Sequence, residues 1–193
     1  MSDTWAATCA PGHSYVAGVK LRPFAYGHAL LMQRLGLFEV LTPLDFHAFV
    51  GICSRNYASA SRWLGWFLSP IGQWWYARKP LPGPYNEVMQ GALEYLELNK
   101  RAPDTMAVEN NGSFGVKYGT PALQIMRTIA LRNLGYNPDT INDAPFGQMY
   151  WDIISNNEMN GGSRIIEGDL AAGLQQLHEL KRKREEAANE SKS

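Results

Sequence analysis

Twice along this chain a threonine–proline pair opens a run of apolar residues at helical spacing, first at Thr42–Pro43 and again at Thr120–Pro121. Threonine is a favoured helix N-cap, and proline is tolerated in a helix only in its first turn, so each pair fixes where a helix begins. The first run carries Asp45 in its opening turn, where a negative charge suits the helix dipole. Leu44, Phe46, Phe49, Val50 and Cys53 form its apolar face. The second puts Leu123, Ile125, Met126, Ile129, Ala130 and Leu134 on a broad stripe that Gly135 ends.

The same period recurs elsewhere. "LRPFAYGHALLMQRLGL" predicts a helix over about 25–36, apolar on more than one side and ended by Gly36. "YASASRWLGWFL" predicts a third helix with Ala58, Trp63, Trp66 and Phe67 inward. Pro70 ends or kinks it, and a short helical piece follows through Trp75 and Tyr76. "YNEVMQGALEYLELNKR" places Val88, Met89, Ala92, Leu93 and Leu96 inside, with Glu87, Glu94, Glu97 and Lys100 outside, and Pro103 closes it. A turn of helix is expected around Thr140–Asp143, then a longer helix from Pro145 to about Met159, stopped by Gly161 and Gly162. A final helix starts at Asp169 and carries the narrow stripe Leu170, Leu174, Leu177 and Leu180.

These patterns predict an all-α fold, a mainly helical bundle of about six or seven helices, with one short extended N-terminal piece in "SYVAGVKL". The expected organisation is an N-terminal arm (1–20), an N-terminal helical subdomain (21–103), a loop rich in turn formers (104–119), a C-terminal helical subdomain (120–180) and a disordered or frayed tail (181–193).

Composition narrows the function. With 45% hydrophobic and 19% charged residues the body is globular rather than disordered. Formal net charge is zero, which argues against broad electrostatic capture of nucleic acid. The basic run in "HELKRKREEAANE" is balanced by its own glutamates and reads as a solvated helix end. Two cysteines, Cys9 and Cys53, make no disulfide framework, and "MSDTWAATCAPG" does not read as a secretion signal, so a reducing compartment is expected.

No residue set makes a persuasive enzyme. Cys9 and His13 have metal-like spacing, but structural zinc takes four ligands, and His28, His47 and Cys53 would join only through an arbitrary fold. His47 and Cys53 lie six residues apart on one helix, so their side chains point about 240° apart and form no nucleophile pair. "ENNGSFGVKYGT" fits neither phosphate-loop pattern. Asp143 and Asp152 have no matched partner. His28 reads either as a functional group or as a half-buried histidine satisfied by a neighbouring carbonyl, and the second is preferred because nothing nearby supplies a catalytic or metal partner. No metal or cofactor is expected.

One stretch stands out. "WLGWFLSPIGQWWYARK" holds four of the six tryptophans. It is interrupted by Ser69, Pro70, Gly72 and Gln73, and a spanning helix needs about 20 predominantly apolar residues, so it does not cross a membrane. Adjacent Trp74 and Trp75 cannot both be buried by one helical face. Trp63, Trp66, Trp74, Trp75 and Tyr76 are therefore the candidate partner-binding surface. Lying in a membrane interface is the alternative use of the same residues.

"LRPFAYGHALLMQRLG" resembles a motif of small tailed-phage and prophage proteins encoded near tail genes. "GTPALQIMRTIALRNLGYNPDTINDAPFGQMYWDIISNNEMNGGSRI" is similar to the helical part of phage tail-assembly proteins, through Pro145, Phe146, Gly147, Tyr150, Trp151, Gly162 and Arg164. Ala25 departs from the pattern, standing where a capping serine or threonine is expected. The resemblance implies a non-enzymatic morphogenesis factor, a tail-assembly chaperone that holds a partner such as the tape-measure protein soluble in the host bacterial cytoplasm. A structural neck or tail component of the virion, which would form a homo-oligomer, is the alternative. A membrane-interfacial protein or an enzyme with an unseen site is the second alternative.

Overall fold

The computed structural model describes residues 14–37, 42–100, 104–107, 121–161 and 163–166, with 104–107 and 163–166 described as backbone. Within them the fold is mainly helical, as the periodicity predicts. The element order is β1 (Ser14–Val16), β2 (Val19–Leu21), α1 (Tyr26–Leu35), α2 (Pro43–Cys53), α3 (Tyr57–Phe67), α4 (Pro70–Ala77), α5 (Tyr85–Lys100), β3 (Asp104–Ala107), α6 (Ala122–Arg132), a 3-10 turn (Ile141–Asp143), α7 (Phe146–Met159) and β4 (Ser163–Ile166).

The extended N-terminal piece is an antiparallel hairpin with Ser14 opposite Leu21 and Val16 opposite Val19. Its two-residue turn, Ala17–Gly18, has positive φ at both positions, as a type I′ turn requires. Capping at Thr42 is as expected: its hydroxyl accepts from the Asp45 N–H at 3.3 Å, and the Asp45 carboxylate accepts from the Thr42 N–H at 2.8 Å. Gly36 and Gly135 take the left-handed conformation after α1 and α6. Pro121 stands at the N-cap of α6, one position before the predicted place.

Some expectations are corrected. Residues 104–107 are not loop: they pair antiparallel with 163–166, Asp104 opposite Ile166 and Ala107 opposite Ser163. The local run of turn formers hides a strand whose partner lies some sixty positions away. In α5 Leu93 is exposed, and Tyr95 and Asn99 point inward instead. Cys9, His13, Pro103, Thr120, Gly162, the 108–120 segment and everything after Ile166, including the leucine stripe and the tail, lie outside the described residues.

Helix α2 is buried on most of its circumference through Phe46, Ala48, Phe49, Ile52 and Cys53. Leu31 and Met32 of α1, Leu64 of α3 and Val88, Ala92 and Tyr95 of α5 pack with it in the larger core. A smaller cluster gathers Tyr26, Ala130, Ile141 and Met149 on the other side of α1. Packing on both sides accounts for the broad apolar stripe of this helix.

The lead-in to α1 joins these layers. Arg22 N–H donates to the Cys53 carbonyl at 2.9 Å, and the Arg22 carbonyl accepts from the Tyr95 hydroxyl at 2.7 Å. Pro23 contributes no donor to satisfy. Phe24 N–H donates to Asn99 Oδ1 at 2.9 Å, and its carbonyl accepts from Phe146 N–H at 2.8 Å. Asn99 is oriented by its own Nδ2, which donates to the Tyr95 carbonyl at 2.8 Å. Tyr26 N–H donates to the Ala144 carbonyl at 2.9 Å, and Ala25 bridges to Pro145. The "RPF" and "APF" stretches thus dock on one another, with the Phe24 and Phe146 ring centroids 5.7 Å apart.

His28 completes the lead-in. Its Nδ1 accepts from Ala25 N–H at 3.1 Å, and its Nε2 lies 2.8 Å from the Arg55 carbonyl. A nitrogen that accepts from a backbone N–H carries no proton, so the ring is the neutral Nε2–H tautomer, donating to Arg55. Ala25 offers no capping oxygen, and the side chain at the third helical position supplies the reciprocal half of a cap. The satisfied-histidine reading therefore holds, with burial complete rather than partial.

Two outcomes follow from this packing. Asn99→Leu keeps the branched shape but leaves the Phe24 N–H buried and unpaired, so chemical denaturation should show a loss of about 1–3 kcal/mol. Burial pushes the His28 pKa down, only partly opposed by the bond to the Arg55 carbonyl. Above the unfolded-chain value of about 6.5 both states leave this ring neutral. As pH falls through that value the unfolded chain takes up a proton that the folded ring resists, and stability is lost. His28→Gln, which keeps an acceptor for Ala25, should flatten the fall in unfolding free energy between about pH 6.5 and 5, the span just below that unfolded value.

Candidate functional site

Helices α3 and α4 form a tight corner. Asn56 caps α3, its Oδ1 accepting from Ser59 N–H at 2.9 Å. Ser69 caps α4, its Oγ accepting from Gly72 N–H at 3.1 Å, and Pro70 takes the first helical position. Pro70 thus ends no helix by itself; it starts the next one. Gly72 makes the corner possible, because a Cβ there would collide with the Trp66 carbonyl oxygen.

The inner side of the corner is locked by aromatic contacts. Tyr76 is the hub, with ring centroids 5.1 Å from Phe67, 5.8 Å from Trp63, 5.9 Å from Trp66, 4.8 Å from Trp75 and 5.4 Å from His47. The Trp63 ring covers Gly51 of α2, where any Cβ would run into it. The Arg55 guanidinium lies 5.0 Å from the same ring and donates to the Gly51 carbonyl at 2.7 Å. His47 Nε2, 3.1 Å from the Lys79 carbonyl, ties α2 to the end of α4.

The outer side is different. Trp66 is 45% exposed, Trp74 57%, Trp75 48% and Ile71 73%, with Leu68 beside them. Ile71, Trp74, Trp75 and Arg78 follow the i, i+3, i+4, i+7 spacing of one helical stripe. The Arg78 guanidinium lies 4.0 Å from the Trp74 ring centroid and donates to the Trp74 carbonyl at 3.1 Å. Lys79 Nζ is 5.4 Å from the Trp75 ring and 5.6 Å from that of Tyr76.

The five predicted surface residues therefore come together but divide in role. Trp63 and Tyr76 are half-buried anchors, while Trp66, Trp74 and Trp75 face solvent. Two positions expected inward, Ala58 and Trp66, are exposed, because Ala60, Leu64 and Phe67 set the phase of α3 against the core. A step of one residue rotates a side chain by about 100°.

The remaining chemical candidates are used structurally. Burial pushes the Cys53 thiol up to about 12, with Tyr95 and Lys100 opposing only in part. A thiol so placed is a small hydrophobe rather than a nucleophile. Asp143 accepts from Tyr57 N–H at 2.7 Å, and Asp152 accepts from the Tyr136 hydroxyl at 2.6 Å. Among the described residues no three His, Cys, Asp or Glu side chains gather as a metal site. No helix among them is long and apolar enough to cross a membrane. No protein-family model, curated protein or solved structure matches the chain.

This division has a measurable consequence. Trp74→Ala should change the free energy of unfolding by no more than about 0.5 kcal/mol, and Trp75→Ala, which loses its edge contact with Tyr76, by about 0.5–1.5 kcal/mol. Phe67→Ala, at a buried position of the same corner, should cost about 3–5 kcal/mol in urea denaturation.

Proposed function

We propose that this chain is a non-enzymatic morphogenesis factor of tailed phages. It acts as a tail-assembly chaperone that keeps an amphipathic helix of a partner, such as a tape-measure protein, on the α3–α4 corner until the tail tube polymerises. The observation that carries this reading is the exposure of Trp66, Trp74 and Trp75, with Ile71 and Leu68, on a corner whose inner side is rigidly packed. Tryptophan on a preorganised scaffold is the usual anchor of a protein interface, and a contiguous apolar patch on a monomer marks a binding surface. An apolar ridge of this kind suits the apolar stripe of an amphipathic helix. The resemblance of the "LRPF" and "APFG" stretches supplies the class of partner, and the host bacterial cytoplasm during assembly is where such a factor works.

The test is co-expression with a tape-measure protein from the same phage genome. Soluble tape-measure protein should depend on this chain, and Trp74→Ala should weaken the purified complex ~30-fold, the size of an anchor worth about 2 kcal/mol. A tape-measure protein whose solubility ignores this chain overturns the proposal. Retention of the chain in purified particles supports the neck or tail structural component instead.

A further inference from the structure

The charge around the α3–α4 corner is one-sided. Between Asp45 and Glu87 the sequence has no acidic residue, yet it carries Arg55, Arg62, Arg78 and Lys79. The chain as a whole is neutral, with 18 basic and 18 acidic residues, so this corner holds a local excess of positive charge. Arg78 and Lys79 are exposed and lie against the rings of Trp74 and Trp75, at the edge of the apolar stripe.

The outer face of α5 has the opposite character. Glu87, Glu94 and Glu97 are exposed along it, and Gln90 donates to the Glu94 carboxylate at 2.9 Å. Leu93 and Leu98, 49% and 58% exposed, border this acidic strip on its two sides. At 100° per residue the strip and its leucine edges span about 140° of the helix circumference. No basic side chain is exposed on this helix, since Lys100 lies over the Phe24 ring, 5.2 Å from its centroid.

We infer that these two surfaces are complementary and that the α3–α4 corner of one copy of this chain receives the α5 face of a second copy. Arg78 and Lys79 meet Glu94 and Glu97, while Ile71, Trp74 and Trp75 cover Leu93 and Leu98. The guanidinium over the Trp74 ring spends one N–H on the Trp74 carbonyl and has further donors for a carboxylate. The two faces differ, so the contact is head-to-tail, and each added copy leaves one face of each kind open. The inference uses the corner assigned above to a partner helix but needs no tail protein, so it stands or falls separately. Where both apply, partner and second copy compete for one surface.

The experiment is sedimentation velocity on the full chain over a range of concentrations and salt. The wild type should associate with rising concentration at low salt, and the association should weaken as salt screens the charges. Two variants reverse one face each: Arg78→Glu with Lys79→Glu, and Glu94→Lys with Glu97→Lys. All four side chains are exposed, and circular dichroism checks that each variant keeps its helical signal. A milder Glu94→Gln, Glu97→Gln variant serves if the reversal disturbs the fold. Each variant alone should be monomeric. Mixed at equal amounts, they should associate again, because the two unaltered faces still pair and the two reversed faces are themselves opposite in charge. A wild type that stays monomeric, association that survives either charge reversal, or variants that fail to pair on mixing overturns the inference. Binding to phosphatidylserine vesicles that is lost in the Arg78, Lys79 variant, without wild-type self-association, assigns the corner to an anionic membrane and overturns it equally.

Discussion

A short hydrogen-bonded stretch of backbone, from Arg22 to Tyr26 at the first position of α1, is the constraint on which the rest of the molecule depends. Buried peptide groups must find partners, and this segment finds them in five different places. The end of α2 supplies the Cys53 carbonyl, α5 supplies Tyr95 and Asn99, the start of α7 supplies the Phe146 N–H, the 3-10 turn supplies the Ala144 carbonyl, and α1 supplies His28. Each bond fixes one element relative to the others. The two apolar clusters are assembled around this strap, with Phe24 in the larger and Tyr26 in the smaller.

Much of this was legible in the sequence, and the reason differs from element to element. Helix starts at Thr42–Pro43, and stops at Gly36 and Gly135, are set by local backbone chemistry, which a reader of sequence can apply directly. The role of Asn99 was not legible. An asparagine near a helix end reads as surface, and only its partner 75 positions away explains its burial. The β3–β4 pairing was hidden for the same reason. Helix phase was the other loss: Leu93 and Trp66 are apolar at roughly helical spacing, yet the core selects Tyr95 and Leu64 beside them. The candidate surface was found by a local argument, that neighbouring tryptophans cannot share one buried face. The division between anchors and exposed rings needed the fold, because it depends on Gly51 lying under Trp63 and Gly72 against the Trp66 carbonyl.

The aromatic corner shows why so many rings occupy so short a stretch. A helix of eight residues is marginal alone, and α4 is stabilised by Ser69, Pro70 and the contacts of Tyr76. Those contacts fill the inner side and leave Ile71, Trp74 and Trp75 no interior to enter. Exposure of these side chains is therefore a consequence of how the helix is held. The charged groups of Arg78 and Lys79 lie over the Trp74 and Trp75 rings and cover part of that apolar surface.

Helix α2 connects this surface to the strap. Cys53 at its end accepts the Arg22 N–H, Gly51 half a turn earlier receives the Trp63 ring, and His47 one turn before that reaches the Lys79 carbonyl. One buried helix thus positions the backbone that organises the core and the corner that faces outward. A change that shifts α2 along its axis must disturb both together, since all three contacts are made by a rigid element. A change confined to the outer rings disturbs neither. Trp66 and Trp75 still lend one side of their rings to Tyr76, while Ile71 and Trp74 are left with little part in stability.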